Sequence, residues 1–75
     1  MPFDKELDAS GLACPLPIVK TKKALSGMAT GQVLRVISTD SGSVEDMKAF
    51  ADQTGNTLLQ STTEGGKYVF RLRKA

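Results

Sequence analysis

The residues of this chain that could do covalent chemistry are gathered in Cys14-Pro15-Leu16-Pro17. Cysteine reacts as its thiolate. Proline is favoured at the first helical position, where its missing N–H would have had no intrahelical partner. It is tolerated two residues later, still among the first-turn donors that a helix leaves unpaired. The two prolines therefore predict a helix from Pro15 to about Met28, with Cys14 as its N-cap. A helix N-terminus carries about half a positive charge. That predicts a Cys14 thiol more acidic than the free value of about 8.5, with Leu16 and Ile18 supplying the nearby amides. On such a helix Leu16 lies with Lys20 and Lys23, opposite Ile18 and Leu25. Leu16 should then stand exposed beside the sulfur, an apolar docking patch rimmed by lysines.

What the chain lacks narrows the chemistry further. Cys14 is the only cysteine and there is no histidine. An intramolecular disulfide, a Cys-His nucleophilic pair and a His-based metal site are all excluded. A thioredoxin-type site needs a resolving thiol two or three residues on, and Pro17 stands there. Cys14 can attack a sulfur atom of another molecule, but the chain cannot release the product as an internal disulfide. A persulfide on Cys14 fits this constraint, since it can be received and passed outward without a second thiol. The competing chemical reading is a redox sensor, with Cys14 oxidised to a sulfenic acid or an intermolecular disulfide. It requires peroxide rather than a sulfur donor. The bland reading is a small buried hydrophobe, and the flanking prolines argue against it by placing Cys14 at an edge.

The elements that must hold this segment follow from periodicity. Phe3 to Asp8 alternates, with Phe3, Lys5 and Leu7 on one side, and reads as a strand; Ala9-Ser10-Gly11 is a turn. The first helix presents Ile18, Thr21, Leu25 and Met28 to the core. Gln32 to Thr39 is a strand rich in β-branched residues. Asp40 follows it in a turn, and Ser43 is the expected N-cap of a second helix, with Asp46 as its capping-box partner. Val44, Met47, Phe50, Ala51 and Thr54 form that helix's buried stripe. Strands at Thr57 to Thr63 and Lys67 to Arg73 flank Glu64-Gly65-Gly66, a hairpin. The order β-α-β-α-β-β implies an α/β (α+β) two-layer sandwich, a mixed four-stranded sheet with both helices on one face. Tyr68, Phe70 and Leu72 should face the helices, leaving Arg35, Arg71 and Arg73 on the open side.

The 75 residues make one domain, 1–75, too small to enclose a cofactor, and none is expected. A net charge of +2 does not demand nucleic acid. A nucleic-acid-binding or regulatory module using Arg35, Arg71 and Arg73 is the alternative from another functional class, weakened by the inward position expected for Tyr68. No apolar run approaches the ~18 residues of a membrane span. The N-terminal Met1-Pro2-Phe3-Asp4-Lys5 has neither a long apolar core nor a small-residue cleavage site, so a cytoplasmic protein is expected.

The stretch Leu7-Asp8-Ala9-Ser10-Gly11-Leu12-Ala13-Cys14-Pro15-Leu16-Pro17 resembles the signature of the TusA-like (SirA-like) sulfur carriers: a Leu-Asp pair, a Gly-Leu, then Cys-Pro-x-Pro. The resemblance runs on through Gly31, the strand to Ile37, Asp40, the helix with Asp46 and Phe50, Gly55 and Tyr68-Val69-Phe70. It implies the fold just described and a sulfurtransferase-type carrier with a persulfide on Cys14. The sulfur would come from a cysteine desulfurase or a rhodanese-like enzyme. It would go to a partner protein serving tRNA thiolation, molybdenum-cofactor assembly or sulfur oxidation. The resemblance also places Asp40 near the cysteine; many members have proline after it, where this chain has Ser41. The partners expected are therefore proteins, with no direct nucleic acid, no membrane and a monomeric carrier.

Overall fold

In the computed structural model, which describes residues 3–75, the β-branched run lies at the centre of the sheet. Met1 and Pro2, part of the stretch read for a leader, lie outside the described residues. The elements are β1 (Lys5–Ala9), α1 (Leu16–Ser26), β2 (Val33–Ser38), α2 (Ser43–Thr54), β3 (Thr57–Glu64) and β4 (Lys67–Arg73). The sheet order is β1-β2-β4-β3. β1 runs parallel to β2, as a helical crossover between them requires, and β4 is antiparallel to both β2 and β3. Gly65 and Gly66, with φ of +56° and +79°, make the two-residue loop between β3 and β4. Such a loop favours residues that accept positive φ, because its twist then matches that of the strands. Among the described residues no helix is long and apolar enough to cross a membrane.

The inner face of the sheet carries the core. Leu34 lies opposite Leu72 and Val36 opposite Phe70 in the β2–β4 register. These four residues are fully buried, together with Leu25 of α1 and Met47 of α2. Phe50 and Ala51 of α2 and Ala24 of α1 close the same cluster. Burial of a side chain such as Leu72 or Phe70 contributes about 1.5–3 kcal/mol each, so this layer fixes where both helices start and therefore where Cys14 lies.

Several boundaries differ from the sequence expectation. β1 begins at Lys5, so Phe3 precedes the strand rather than opening it. Its ring lies on the open side, 5.8 Å from the Arg35 guanidinium carbon and 6.0 Å from that of Arg71. α1 has Pro15 as its N-cap residue and ends at Ser26, so Cys14 stands one residue outside the helix and is not its cap. Pro17 is buried with Thr21, Ala24 and Leu25, whereas Ile18 and Met28 pack at the margin of the core.

α2 buries Met47, Phe50 and Ala51 as expected and departs from its expected face at the two ends. Ser43 is 1% exposed and turned inward, its hydroxyl and its amide both donating to the Asp40 carbonyl at 2.6 and 3.1 Å. The N-cap is Gly42, without a side-chain cap. Each helical residue turns the chain by about 100°, and Val44 accordingly stands 39% exposed. Thr54 is exposed at the far end. On β4, Val69 points to the open side yet is buried, 4% exposed and registered with Ile37 on one flank and Thr62 on the other.

Candidate functional site

Cys14 is reached through a turn built by its own flanks. The Asp8 carboxylate accepts the Ser10 amide at 2.9 Å, turning the chain out of β1. Gly11 follows with φ +81°, a conformation costly for residues with a Cβ. Its amide donates to Thr39 Oγ1 at 2.8 Å, tying the turn to the end of β2. Leu12 N–H returns to the Ala9 carbonyl at 3.3 Å. The Cys14-Pro15 peptide is cis. Cys14 emerges exposed, between the start of α1 and the side of α2.

The amides expected to stabilise a thiolate are engaged elsewhere. Leu16 N–H donates to the Ala13 carbonyl at 2.9 Å, and Ile18 N–H to the Pro15 carbonyl at 3.1 Å. Pro15 and Pro17 have no N–H to offer. Among the described residues the one hydrogen bond recorded for the Cys14 side chain is instead to an acid: its thiol donates to Asp46 Oδ2 at 3.0 Å. This bond pushes the Cys14 thiol above its ordinary range. Desolvation and the negative charges of Asp46 and Asp40 push it the same way. The sequence expectation of an easily ionised thiol is corrected here. The helix start lies one residue beyond Cys14, its donors are used, and the charges facing the sulfur are negative.

A groove of about 240 Å³ opens beside the sulfur. Pro15 and Ile18 wall it from α1, and Asp46, Ala49 and Phe50 from α2. Asp46 is thus a site residue that the sequence reading assigned only to helix capping. Its chain position four residues before a buried Phe50 was visible, but its aim at a loop 32 residues away was not.

Asp40, Leu16, Lys20 and Lys23 are placed differently. Asp40 lines a neighbouring hollow with Gly11, Leu12, Ala13 and Thr39, and its Oδ2 is buried without a hydrogen-bond partner. Its charge bears on Cys14. Leu16 stands 47% exposed beside Val19 at 55%, as its helical position required. Lys20 and Lys23 do not line the Cys14 groove. They border a hollow of about 290 Å³ with Lys5, Leu7 and Ala24, where α1 meets β1.

The profile of one protein family, described as Sulfurtransferase TusA, matches residues 5–74. The chain belongs to the TusA family. It is 62% identical over 73 residues to a TusA sulfur carrier protein of Allochromatium vinosum, covering 97% of this chain and 96% of that protein. A TusA sulfur carrier protein of Pseudomonas putida is 38% identical over 71 residues, covering 95% and 89% of the two chains. Among solved structures, a SirA-like protein from Desulfitobacterium hafniense superposes with a TM-score of 0.83 at 24% identity, over 93% of this chain and 96% of that one. That likeness shows the fold: the β-α-β-α-β-β sandwich of this chain is shared with that protein.

Proposed function

We propose that this protein carries sulfur as a persulfide on Cys14, accepting it from one protein and delivering it to another. The observation that supports this most directly is a single exposed thiol set in an open groove with no resolving cysteine, in a chain of the sulfur carrier family. Exposure lets a second protein's sulfur approach Cys14 Sγ. Without an internal thiol, the sulfane sulfur remains on Cys14 until an external nucleophile takes it.

In the receiving step the Cys14 thiolate attacks the outer sulfur of a donor persulfide. The new bond joins Cys14 Sγ to that sulfur while the donor's own S–S bond breaks. The donor cysteine leaves with the electron pair as a thiolate. No net oxidation occurs, and the delivering step is the same exchange with the roles reversed. A cysteine desulfurase or a rhodanese-like enzyme is the donor class, and a protein cysteine of a thiolation pathway the acceptor. Leu16, with Lys20 and Lys23 further along α1, forms the docking edge. The carrier works in the cytoplasm, as a single domain and a monomer.

Intact mass after incubation with a cysteine desulfurase and cysteine, or a rhodanese and thiosulfate, tests the loading. A gain of about one sulfur atom, reversed by reductant and missing in Cys14→Ser, is expected. No labile gain with either donor contradicts the reading.

A further inference from the structure

The groove beside Cys14 has apolar walls and an acidic end. Ile18, Ala49 and Phe50 supply the apolar walls, Gln53 adds a neutral polar side chain, and the Asp46 carboxylate is already bonded to the Cys14 thiol. No first-turn amide of α1 is free to stabilise a thiolate there. The two acids bearing on the sulfur are Asp46 of α2 and Asp40 of the β2–α2 connection, and the neighbouring lysines of α1 line a different hollow. Among the described residues the resting site thus contains a carboxylate that holds the thiol protonated and no cation paired with the sulfur. The complement of such a groove is a long side chain with an aliphatic stem and a cationic head.

We propose that Asp46 is the proton latch of Cys14: its carboxylate keeps the unloaded sulfur as a thiol, and a lysine or arginine of the sulfur donor, laid along the groove onto Asp46, releases it. This rests on Cys14 as the sulfur-bearing residue. The cation pairs with Asp46, the thiol proton passes to solvent, and the thiolate attacks the donor's persulfide. The donor thiolate that leaves takes up a proton from solvent, so the exchange balances without an oxidant or reductant. The latch gives the carrier a physical reason to stay inert towards free electrophiles and to react when a protein with the right charge is docked. Asp46 acts on the reacting atom itself and is a catalytic residue in that sense.

Thiol reactivity tests the latch without requiring a persulfide, so its failure is distinct from a failure to load sulfur. The probes are the neutral methyl methanethiosulfonate and the cationic 2-aminoethyl methanethiosulfonate. They are applied across a pH series to wild type, Asp46→Asn and Asp46→Ala, with folding followed by circular dichroism. Wild-type Cys14, although exposed, should react with the neutral reagent more slowly in the folded chain than in urea, a comparison that needs no variant. Both variants should react with the neutral reagent about three-fold faster or more near neutral pH, the midpoint of the profile moving down, because a lower thiol pKa raises the thiolate fraction. The preference of wild type for the cationic reagent over the neutral one should fall by a similar factor. Neutral-reagent rates and midpoints that match wild type in both folded variants overturn the proposal. So does a cationic preference that survives removal of the carboxylate.

Discussion

The amide of Gly11 and the hydroxyl of Thr39 meet at 2.8 Å, joining the turn before Cys14 to the end of β2 across 28 positions of sequence. Few other bonds hold this turn. Leu12 N–H to the Ala9 carbonyl and Ser10 N–H to Asp8 are both local. Thr39 thereby acts as the strut that sets the height of the Cys14 segment above the sheet. Thr39→Val keeps the shape and removes the acceptor. It should lower stability by about 1 kcal/mol, the usual net value of such a bond, and broaden the NMR signals of residues 10–14 without moving those of β4. An unchanged denaturation midpoint together with an unchanged spectrum would show that the strut carries no load.

Two ionisations near the site should act on stability with opposite signs. The Cys14 thiol is raised above its ordinary value, first by the bond to Asp46. Its contribution is therefore complete below the unfolded thiol value of about 8.5 and is lost as pH rises through the higher folded value. Asp8 is held below the usual carboxylate range, first by Ser10 beside it. Its contribution is present above the unfolded carboxylate value of about 3.9 and is lost as pH falls through the lower folded one. Denaturation midpoints of wild type against Cys14→Ser should converge on the alkaline side, and those of wild type against Asp8→Asn on the acid side. A Cys14 titration, followed by thiolate absorbance, with its midpoint below that of a free cysteine peptide would reverse the first assignment.

Two arginines on the basic side of the sheet are held by partners within it. Arg35 bonds Glu6 at 2.6 Å, and Arg71, directly opposite Arg35 in the register, donates to Gln60 Oε1 at 2.6 Å. The Phe3 ring covers both guanidinium groups. These partners separate two like charges that would otherwise repel across the strands. The ion pair also offsets the charge of Arg35, one of the cations a phosphate backbone would need. Arg35→Ala should cost no more than about 1 kcal/mol, as expected of a partly exposed ion pair. It should also leave any retention on RNA at low salt unchanged. Salt-dependent RNA binding lost in Arg35→Ala and Arg71→Ala would restore the nucleic-acid reading.

The parts of this structure that local rules govern were readable from the chain. Cys14 before two prolines announced a helix start at an edge, Val33 to Ile37 a strand, and Gly65-Gly66 a hairpin. The exposure of Leu16 followed from its angle on α1. What escaped depends on contacts between distant segments or on a single-residue phase. Ser43 buries its hydroxyl against the Asp40 carbonyl and takes the first inward place on α2, while Val44 is left exposed. Asp46 looked like a capping-box residue because Ser43 looked like the cap. With Gly42 in that place, its carboxylate turns to Cys14. The acidity of the thiol was misjudged for a related reason: prolines signal a helix start, but they also remove the donors that make a helix start attractive to an anion.

The most direct test of a carrier is release as well as uptake. Protein loaded with isotopically labelled sulfur is freed of its donor and mixed with a second protein thiol, and the masses of both are followed. The account predicts that the label leaves Cys14, appears on the acceptor as one sulfane sulfur, and returns the carrier to its starting mass ready for reloading. A loaded Cys14 that keeps its sulfur against every protein thiol, or yields it only to small reductants, would contradict it.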